Sequence, residues 1–316
     1  MKKLLHEVLR KIYHSNKTIR YIWLKISWNR IRYKMKYKDE DFAYEYYYKR
    51  TGNTLNLSEP KTFDDKIWYL KLNNRDPLLT KCSDKYLARE YVKECGLEHI
   101  LNELYGVYDN ANEIDFTSLP SPCIIKCTHV SGINSIYNKN KAFDKKDFTR
   151  TFNYILKQNY YWMSREWNYK NIKPRIICER ILENRDKSGL VDYRFLCFDG
   201  NVKYLFVDID TCADDGTHNR HAKRNVYDSN FNLLEVKVTR ERFNSNIVKK
   251  PINFNKMREY AEILSKPFPF CRVDFYNIDG EIYFGEMTFY HTGGCTNIEP
   301  TEWRYILGDC IDISKY

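Results

Sequence analysis

Apolar positions recur along this chain with two periods, and the changes of period mark its elements. Near the start, Leu4, Leu5, Val8, Leu9 and Ile12, then Ile19, Ile22, Trp23 and Ile26, fall at the three- and four-residue spacing of a helix face. Ser58-Glu59-Pro60-Lys61-Thr62-Phe63 reads as a turn into a helix that turns Phe63, Ile67, Trp68 and Leu70 inward. Further helices are predicted from Asp84 to Cys95, where Gly96 stops the run, from Lys146 to Trp162, and from Asn255 to Ser265. Cys123-Ile124-Ile125-Lys126-Cys127 is short, apolar and bounded by Pro122, which predicts a buried strand. Strands are also predicted at Arg175–Leu182, Tyr193–Phe198, Val202–Asp208, Cys271–Tyr276 and Ile282–Phe289. Asp199-Gly200 and Asp279-Gly280 supply hairpin turns, because both central residues of such a turn need positive φ. Residues 115–122 and 211–224 read as loops, and no repeat or low-complexity tract interrupts the pattern. The class is α+β with largely antiparallel sheets.

Composition narrows the setting. With 316 residues and 43% hydrophobic content the chain can bury a large core, and 27 Tyr make much of it aromatic. No apolar run approaches the roughly 18 residues of a membrane-spanning helix. The opening Met1-Lys2-Lys3 leads into apolar residues broken by charge, which does not fit a signal peptide. The 10 Cys are scattered without zinc spacing and are expected to be buried reduced thiols, which suits a cytoplasmic protein. The net charge of +10 lies wholly in residues 1–37, which hold eleven Lys or Arg and one acid, Glu7; the remainder is balanced. A basic helical arm with Trp on its apolar side suits either an anionic membrane surface or a face docked on the body with its charges in water. No nucleic-acid-binding module follows it.

The chemistry gathers at the last hairpin. Arg272 and Asp274 alternate along one strand and so share a sheet face, and Glu286 lies on the partner strand beyond a tight turn. Folding that hairpin can bring two carboxylates together beside an arginine, an arrangement that is costly unless a cation neutralises it. Oxygen ligands of this kind suit magnesium on a nucleoside triphosphate; two charges on a solvated sheet face would give the same pattern. Lys126 ends a buried strand before Thr128-His129-Val130-Ser131-Gly132, where a lysine and loop amides can meet phosphate oxygens.

Taken in order, these pieces resemble the ATP-grasp superfamily, and most closely the TupA-like ATP-grasp proteins of bacterial surface-polysaccharide biosynthesis. The resemblance runs from about residue 58 to 310. It is carried by Lys61-Thr62-Phe63 through Trp68, Asp84-Lys85-Tyr86, Ile124-Ile125-Lys126 with His129-Val130-Ser131-Gly132, Cys178-Glu179-Arg180-Ile181-Leu182, Asp192-Tyr193-Arg194-Phe195, Phe270 to Tyr276, and Phe284 to Phe289. It implies an ATP-grasp fold with the nucleotide held between two α+β lobes. The expected divisions are a basic helical arm over 1–57, a small preceding region over 58–122, a small lobe over 123–185 with phosphate flap and hinge, and a large lobe over 186–316 with the metal site. By the same resemblance, Lys85 and Lys126 are similar to the two nucleotide-binding lysines. Ser131 and Gly132 are similar to the phosphate flap. Glu179, Arg180, Ile181 and Leu182 are similar to the hinge that reads adenine, and Asp192 to the acid that binds ribose. Asp274 and Glu286 resemble the magnesium ligands. Arg272, with Lys126, resembles the group that steadies the transferred phosphoryl. His129, Arg194, His291 and Gly293 complete the set as substrate contacts. Thr288 stands where the superfamily often has Asn, and Val130 where a glycine is expected.

The implied activity is ATP- and magnesium-dependent ligation of a carboxylate to an amine through an acyl phosphate. The family's setting suggests a sugar acid as the carboxylate and an amino acid or small amine as the nucleophile. A lipid-linked acceptor would bring the arm to the inner face of the membrane. Residues His218, Arg220, His221, Lys223 and Arg224 could hold an anionic acceptor or form a solvated loop. The alternative is a glycosyltransferase, for which Asp208-Ile209-Asp210 supplies the metal-binding Asp-x-Asp form. A kinase on the same nucleotide site and a non-catalytic scaffold are further readings.

Overall fold

The computed structural model describes residues 16–185, 189–212, 219 and 221–316. The apolar spacing from Leu4 to Ile12, and His218 and Arg220, lie outside the described residues.

Helix α1 (Lys17–Tyr33) opens the described chain. Its N-cap Asn16 accepts from the amides of Thr18 and Ile19 at 3.0 and 3.1 Å, so two of the orphan donors are satisfied. Leu24, Trp28 and Ile31, at helical spacing, pack against the core under the first sheet. Helix α2 (Asp39–Thr51) carries three acids in its first turn and ends at Gly52 with φ +73°. Thr62 and Asp65 form a capping box that starts α3 (Phe63–Asn73). From α3, Phe63, Ile67 and Leu70 enter the main core, while Trp68 joins Phe42, Ala43, Tyr47 and Leu55 in a separate cluster. Two short helices follow, α4 (Pro77–Ser83) and α5 (Leu87–Glu94). The first of these was not read from the sequence, although Asp76 capping and Pro77 at the first helical position mark it.

Four strands make the first sheet: β1 (Leu104–Tyr108), β2 (Cys123–Cys127), β3 (Asn134–Tyr137) and β4 (Ile176–Arg180), in the order β1-β4-β2-β3 and antiparallel throughout. Helix α6 (Lys145–Ile155) covers it with Phe148, Phe152 and Ile155, and a single turn, α7 (Tyr161–Ser164), follows. The single helix expected over 146–162 is therefore two pieces.

The second sheet has six antiparallel strands. They are β5 (Asp192–Phe198), β6 (Asn201–Ile209), β7 (Lys223–Asp228), β8 (Leu233–Leu234), β10 (Phe270–Ile278) and β11 (Glu281–Thr288), in the order β11-β10-β5-β6-β7-β8. A short β9 (Lys237–Val238) pairs with β12 (Ile298–Glu299). Both hairpin signals hold: Asp199 and Gly200 have φ +47° and +76°, Asp279 and Gly280 +52° and +88°. Helix α8 (Phe254–Ser265) buries Phe254, Met257, Ala261 and Leu264 against one face, onto which Phe195, Cys197, Leu205, Val207, Cys271, Val273 and Phe275 point. Strand period two then sends Asp192, Arg194, Asp208, Arg272 and Asp274 to the opposite face. Helix α9 (Trp303–Asp309) packs on α3, so closely that a Cβ on Gly308 would lie 2.2 Å from the Lys61 carbonyl oxygen.

Candidate functional site

The β10–β11 register pairs Asp274 directly with Glu286. The pairing slips by one residue at Gly285, where a Cβ would lie 3.0 Å from the Asp274 carbonyl oxygen; the bulge re-aims the strand beside its acids. Arg272 grips Asp274 with two bonds, Nε to Oδ1 at 2.7 Å and Nη2 to Oδ2 at 2.6 Å, and reaches Glu286 Oε1 at 3.1 Å. Asp274 is nearly inaccessible, whereas the Glu286 side chain is half exposed. Burial pushes the Asp274 carboxyl above its usual pKa against the pull of Arg272 and Arg194, and Glu286 adds to the push. A divalent cation would relieve such a pair. Among the described residues no cluster of three or more His, Cys, Asp or Glu could hold a metal. Two carboxylates from one hairpin fit a hard cation such as magnesium, which takes oxygen ligands and keeps much of its water.

Two lysines lie at the end of the first sheet, one on a strand and one on the helical segment before it. Lys126 on β2 bonds Glu179 Oε2 at 2.9 Å across the β2–β4 pairing, and Arg89 takes Glu179 Oε1 at 3.1 Å. Lys85, just before α5, donates to the Val130 carbonyl at 2.6 Å. Burial pulls the Lys85 ammonium below its usual pKa; Glu286 opposes that and Lys126 adds to it. The two sheets meet nearby, where Arg180 at the end of β4 reaches Tyr283 on β11 at 3.1 Å.

The intervening turn differs from expectation. Ser131 and Gly132 are exposed, and Gly132 has φ +76°, but Val130 is a core residue that anchors the turn, with Lys85 holding its carbonyl. His129 does not face this space as a substrate contact. Its ring is buried, with Nε2 3.1 Å from the Ile155 carbonyl at the end of α6, and burial pulls its pKa down to about 4.

The hinge segment is also committed. The Arg180 amide and carbonyl bond Glu103 and Asn102, and its guanidinium reaches Tyr283 on β11 at 3.1 Å. Strand β4 ends at Arg180, so Ile181 and Leu182 lie beyond it, half-buried. With both Glu179 oxygens bound to cations, any reading of a base here falls to backbone at 181–182. Asp192 is likewise engaged, by Arg194 at 3.0 Å and by the Thr211 hydroxyl at 2.6 Å.

Sequence reasoning missed a second knot of charge on the same face. Asp208, wholly buried, accepts Arg224 Nε and Nη2 at 2.6 Å each and Arg240 Nη1 at 2.6 Å, and lies 3.1 Å from Arg194 Nε. Burial alone would raise its pKa, but Arg224, Arg194 and Arg240 outweigh it and hold the carboxyl down to about 2. Asp208 is thus committed to arginines, which counts against the Asp-x-Asp reading of Asp208 and Asp210. Arg224 lies on β7, inside the stretch expected to be a loop. The signal there was the alternation of Arg224 and Val226, hidden by their polar neighbours.

His291 links the two knots. Arg272 Nη1 donates to its Nδ1 at 2.8 Å, and Arg224 Nη1 lies 3.4 Å from Nε2. Because guanidinium can only donate, Nδ1 carries the lone pair and the proton sits on Nε2. Burial, with Arg272, Arg224, Arg194 and Arg240 around it, drives the His291 pKa well below the usual value, so the ring is neutral. Its turn is clamped by α3: Lys71 Nζ donates to the Gly293 carbonyl and Trp68 Nε1 to that of Gly294, both at 2.8 Å. His291 accordingly fixes Arg272 from behind, while Gly293 ties the turn to Lys71.

A family model described as TupA-like ATPgrasp matches residues 65–312. A comparison with curated proteins finds no match. Among solved structures, the chain is similar to D-alanine–D-alanine ligase from Bacillus anthracis complexed with ATP, at 12% identity and TM-score 0.38, over 67% of this chain and 58% of that one. It is similar to phosphoribosylamine–glycine ligase from Thermotoga maritima, at 12% and 0.39, over 67% and 48%. It is also similar to the ATP-grasp ligase PsnB complexed with minimal precursor, at 13% and 0.37, over 74% and 60%. The chain spans between about half and three-fifths of the length of these proteins. With the family model covering most of its length, and with an α+β architecture of two antiparallel sheets, this chain belongs to the TupA-like ATP-grasp family and has the ATP-grasp fold.

Proposed function

We propose that this protein is an ATP-dependent carboxylate–amine ligase. The observation that supports it is the Asp274–Glu286 pair bridged by Arg272, with Lys85 and Lys126 at the end of the other sheet. Asp274 and Glu286 would hold magnesium, which when bound supplies neutralising charge for the phosphate oxygens. Lys85 and Lys126 offer positive charge to the triphosphate from the end of the first sheet. Arg272, fixed by neutral His291, presents a rigid guanidinium where charge develops during phosphoryl transfer. The substrate carboxylate takes the γ-phosphoryl group and ADP leaves; the amine then attacks the acyl carbon, its proton goes to solvent, and phosphate departs as the amide forms.

The physiological carboxylate in this reading is a sugar acid of a surface polysaccharide and the nucleophile an amino acid or amine, in the cytoplasm. Contact with the inner membrane face is part of the same reading. What supports that contact is helix α1, whose Ile22, Trp23 and Ile26 are exposed on the side away from Leu24, Trp28 and Ile31, with Arg30 beside them. Among the described residues no helix is long and apolar enough to cross a membrane. Vesicles of phosphatidylcholine with phosphatidylserine should sediment the wild type and release Trp23→Ser with Ile26→Ser; equal sedimentation of both rejects the contact.

Incubation with ATP, UDP-sugars and a panel of uronic acids and amines tests the ligation itself. ADP release that needs both an acid and an amine supports it. UDP release, or ADP release with a stable phosphorylated sugar and no need for amine, counts against it.

A further inference from the structure

Charge on the site face changes character from one side to the other. At β10 and β11 two carboxylates, Asp274 and Glu286, share the Arg272 guanidinium, with Arg194 3.7 Å from Asp274. At β6, β7 and the turn after β9 the ratio is inverted: Arg224 and Arg240 share the single carboxylate of Asp208, on which Arg194 also leans. The first side suits a metal-bound triphosphate. The second holds crowded guanidinium groups in a nearly dry place, where their mutual repulsion is weakly screened. Such a group gains most from an added anion.

Arg240 is built to receive one. Only Nη1 is used on Asp208, and among the described residues Nε and Nη2 have no partner and are not buried. Its side chain is a quarter exposed, whereas that of Arg224 is sealed. The backbone beneath it is fixed with some strain. Thr239, a β-branched residue, takes φ +63°, with its amide on the Asn297 carbonyl and the Arg240 amide on the Val238 carbonyl. Positive φ at such a residue is uncommon and persists where surrounding structure imposes it, often at ligand sites. His291 stands between Arg272, bonded to Nδ1 at 2.8 Å, and Arg224, 3.4 Å from Nε2, while Arg194 spans from Asp208 to Asp274, so the two clusters adjoin.

We infer that Arg240, braced with Arg224 on Asp208, is a second anion subsite that takes the carboxylate of the acid substrate and leaves Arg272 for the phosphoryl oxygens. The inference rests on the ligase reading. A planar carboxylate matches the two-pronged edge that Arg240 leaves open, and a neutral sugar does not.

The test is calorimetric titration of the full chain, with magnesium and a non-hydrolysable ATP analogue present, by galacturonate, glucuronate, inorganic phosphate and galactose. Wild type should bind a uronate more tightly than either galactose or phosphate. Arg240→Gln should weaken uronate binding by roughly tenfold or more while leaving analogue affinity unchanged. Arg242→Gln, at a surface pair with Glu235, should match wild type. Uronate binding that survives Arg240→Gln, or wild type that does not prefer uronate to galactose, overturns the subsite. Preference for phosphate over both uronates, or a parallel fall in analogue affinity, overturns it by assigning the arginine to phosphate. Failure of the wild type to bind the analogue at all sinks the ligase reading and this inference with it.

Discussion

Replacing Asp208 by Asn removes one negative charge from a place where three guanidinium groups depend on it. Asn keeps the shape and one acceptor, so the change isolates charge. The carboxyl's pKa, held down to about 2 against an ordinary 3.8, measures how much better the fold binds the ionised than the protonated form. That difference is worth about 2–3 kcal/mol, close to the roughly 3–5 kcal/mol typical of breaking a buried ion pair. No correction for solvent is needed, because Asp208 is wholly buried. The depressed pKa sets the sign: the contribution is present above pH about 4 and is lost as pH falls toward 2. Urea unfolding at pH 7 should therefore show Asp208→Asn less stable by about 2–4 kcal/mol, with the gap closing between pH 4 and pH 2. Equal stability at pH 7, or a gap that stays constant down to pH 2.5, would refute the claim that this carboxylate holds the arginine cluster together.

Other outcomes follow from the same geometry. Glu286→Gln, at a half-exposed position, should leave stability within about 0.5 kcal/mol and cut ATP turnover by about a hundredfold or more, read by ADP release. His129 is neutral in the fold, with its pKa at about 4, and takes a proton near pH 6.5 when unfolded; its contribution is full above 6.5 and falls as pH drops toward 4. Between pH 7 and pH 5 the wild type should lose about 2 kcal/mol of unfolding stability relative to His129→Asn, measured on both in parallel. Gly294→Ala places a Cβ 2.9 Å from Trp68 at φ +73° and should cost about 2 kcal/mol or more, lowering turnover as the turn carrying His291 moves. A melting curve and an ADP-release assay on the same preparation would check both effects.

Elements that depend on counting within a short segment could be read from the sequence. Asp279-Gly280 defines a hairpin, but its regular register would set Asp274 opposite Gly285; the bulge at Gly285, which no turn signal reveals, is what brings Glu286 there. The strand over 123–127 and the Phe63–Asn73 helix follow from their apolar spacing and cap. What could not be read depends on distant partners. Strand β7 looks like a loop because Arg224 and Asn225 are polar; they are buried only because Asp208 and the Phe243 carbonyl wait for them. Strand β1 is half-buried along its whole length, so no alternation reveals it. His129 and Val130 sit in a phosphate-loop pattern, yet both turn inward because α6 offers a carbonyl and a core. Lys71 joined no motif, and its partner, the Gly293 carbonyl, comes from the far end of the chain.

The account depends most on Lys85, Lys126, Arg272, Asp274 and Glu286 serving one triphosphate. A crystal structure with magnesium and a non-hydrolysable ATP analogue addresses this directly. The account predicts phosphates between the two sheets, with the cation touching both Asp274 and Glu286 and lysine ammonium groups on the phosphate oxygens. A nucleotide bound elsewhere, or a cation that leaves either carboxylate untouched, would contradict it.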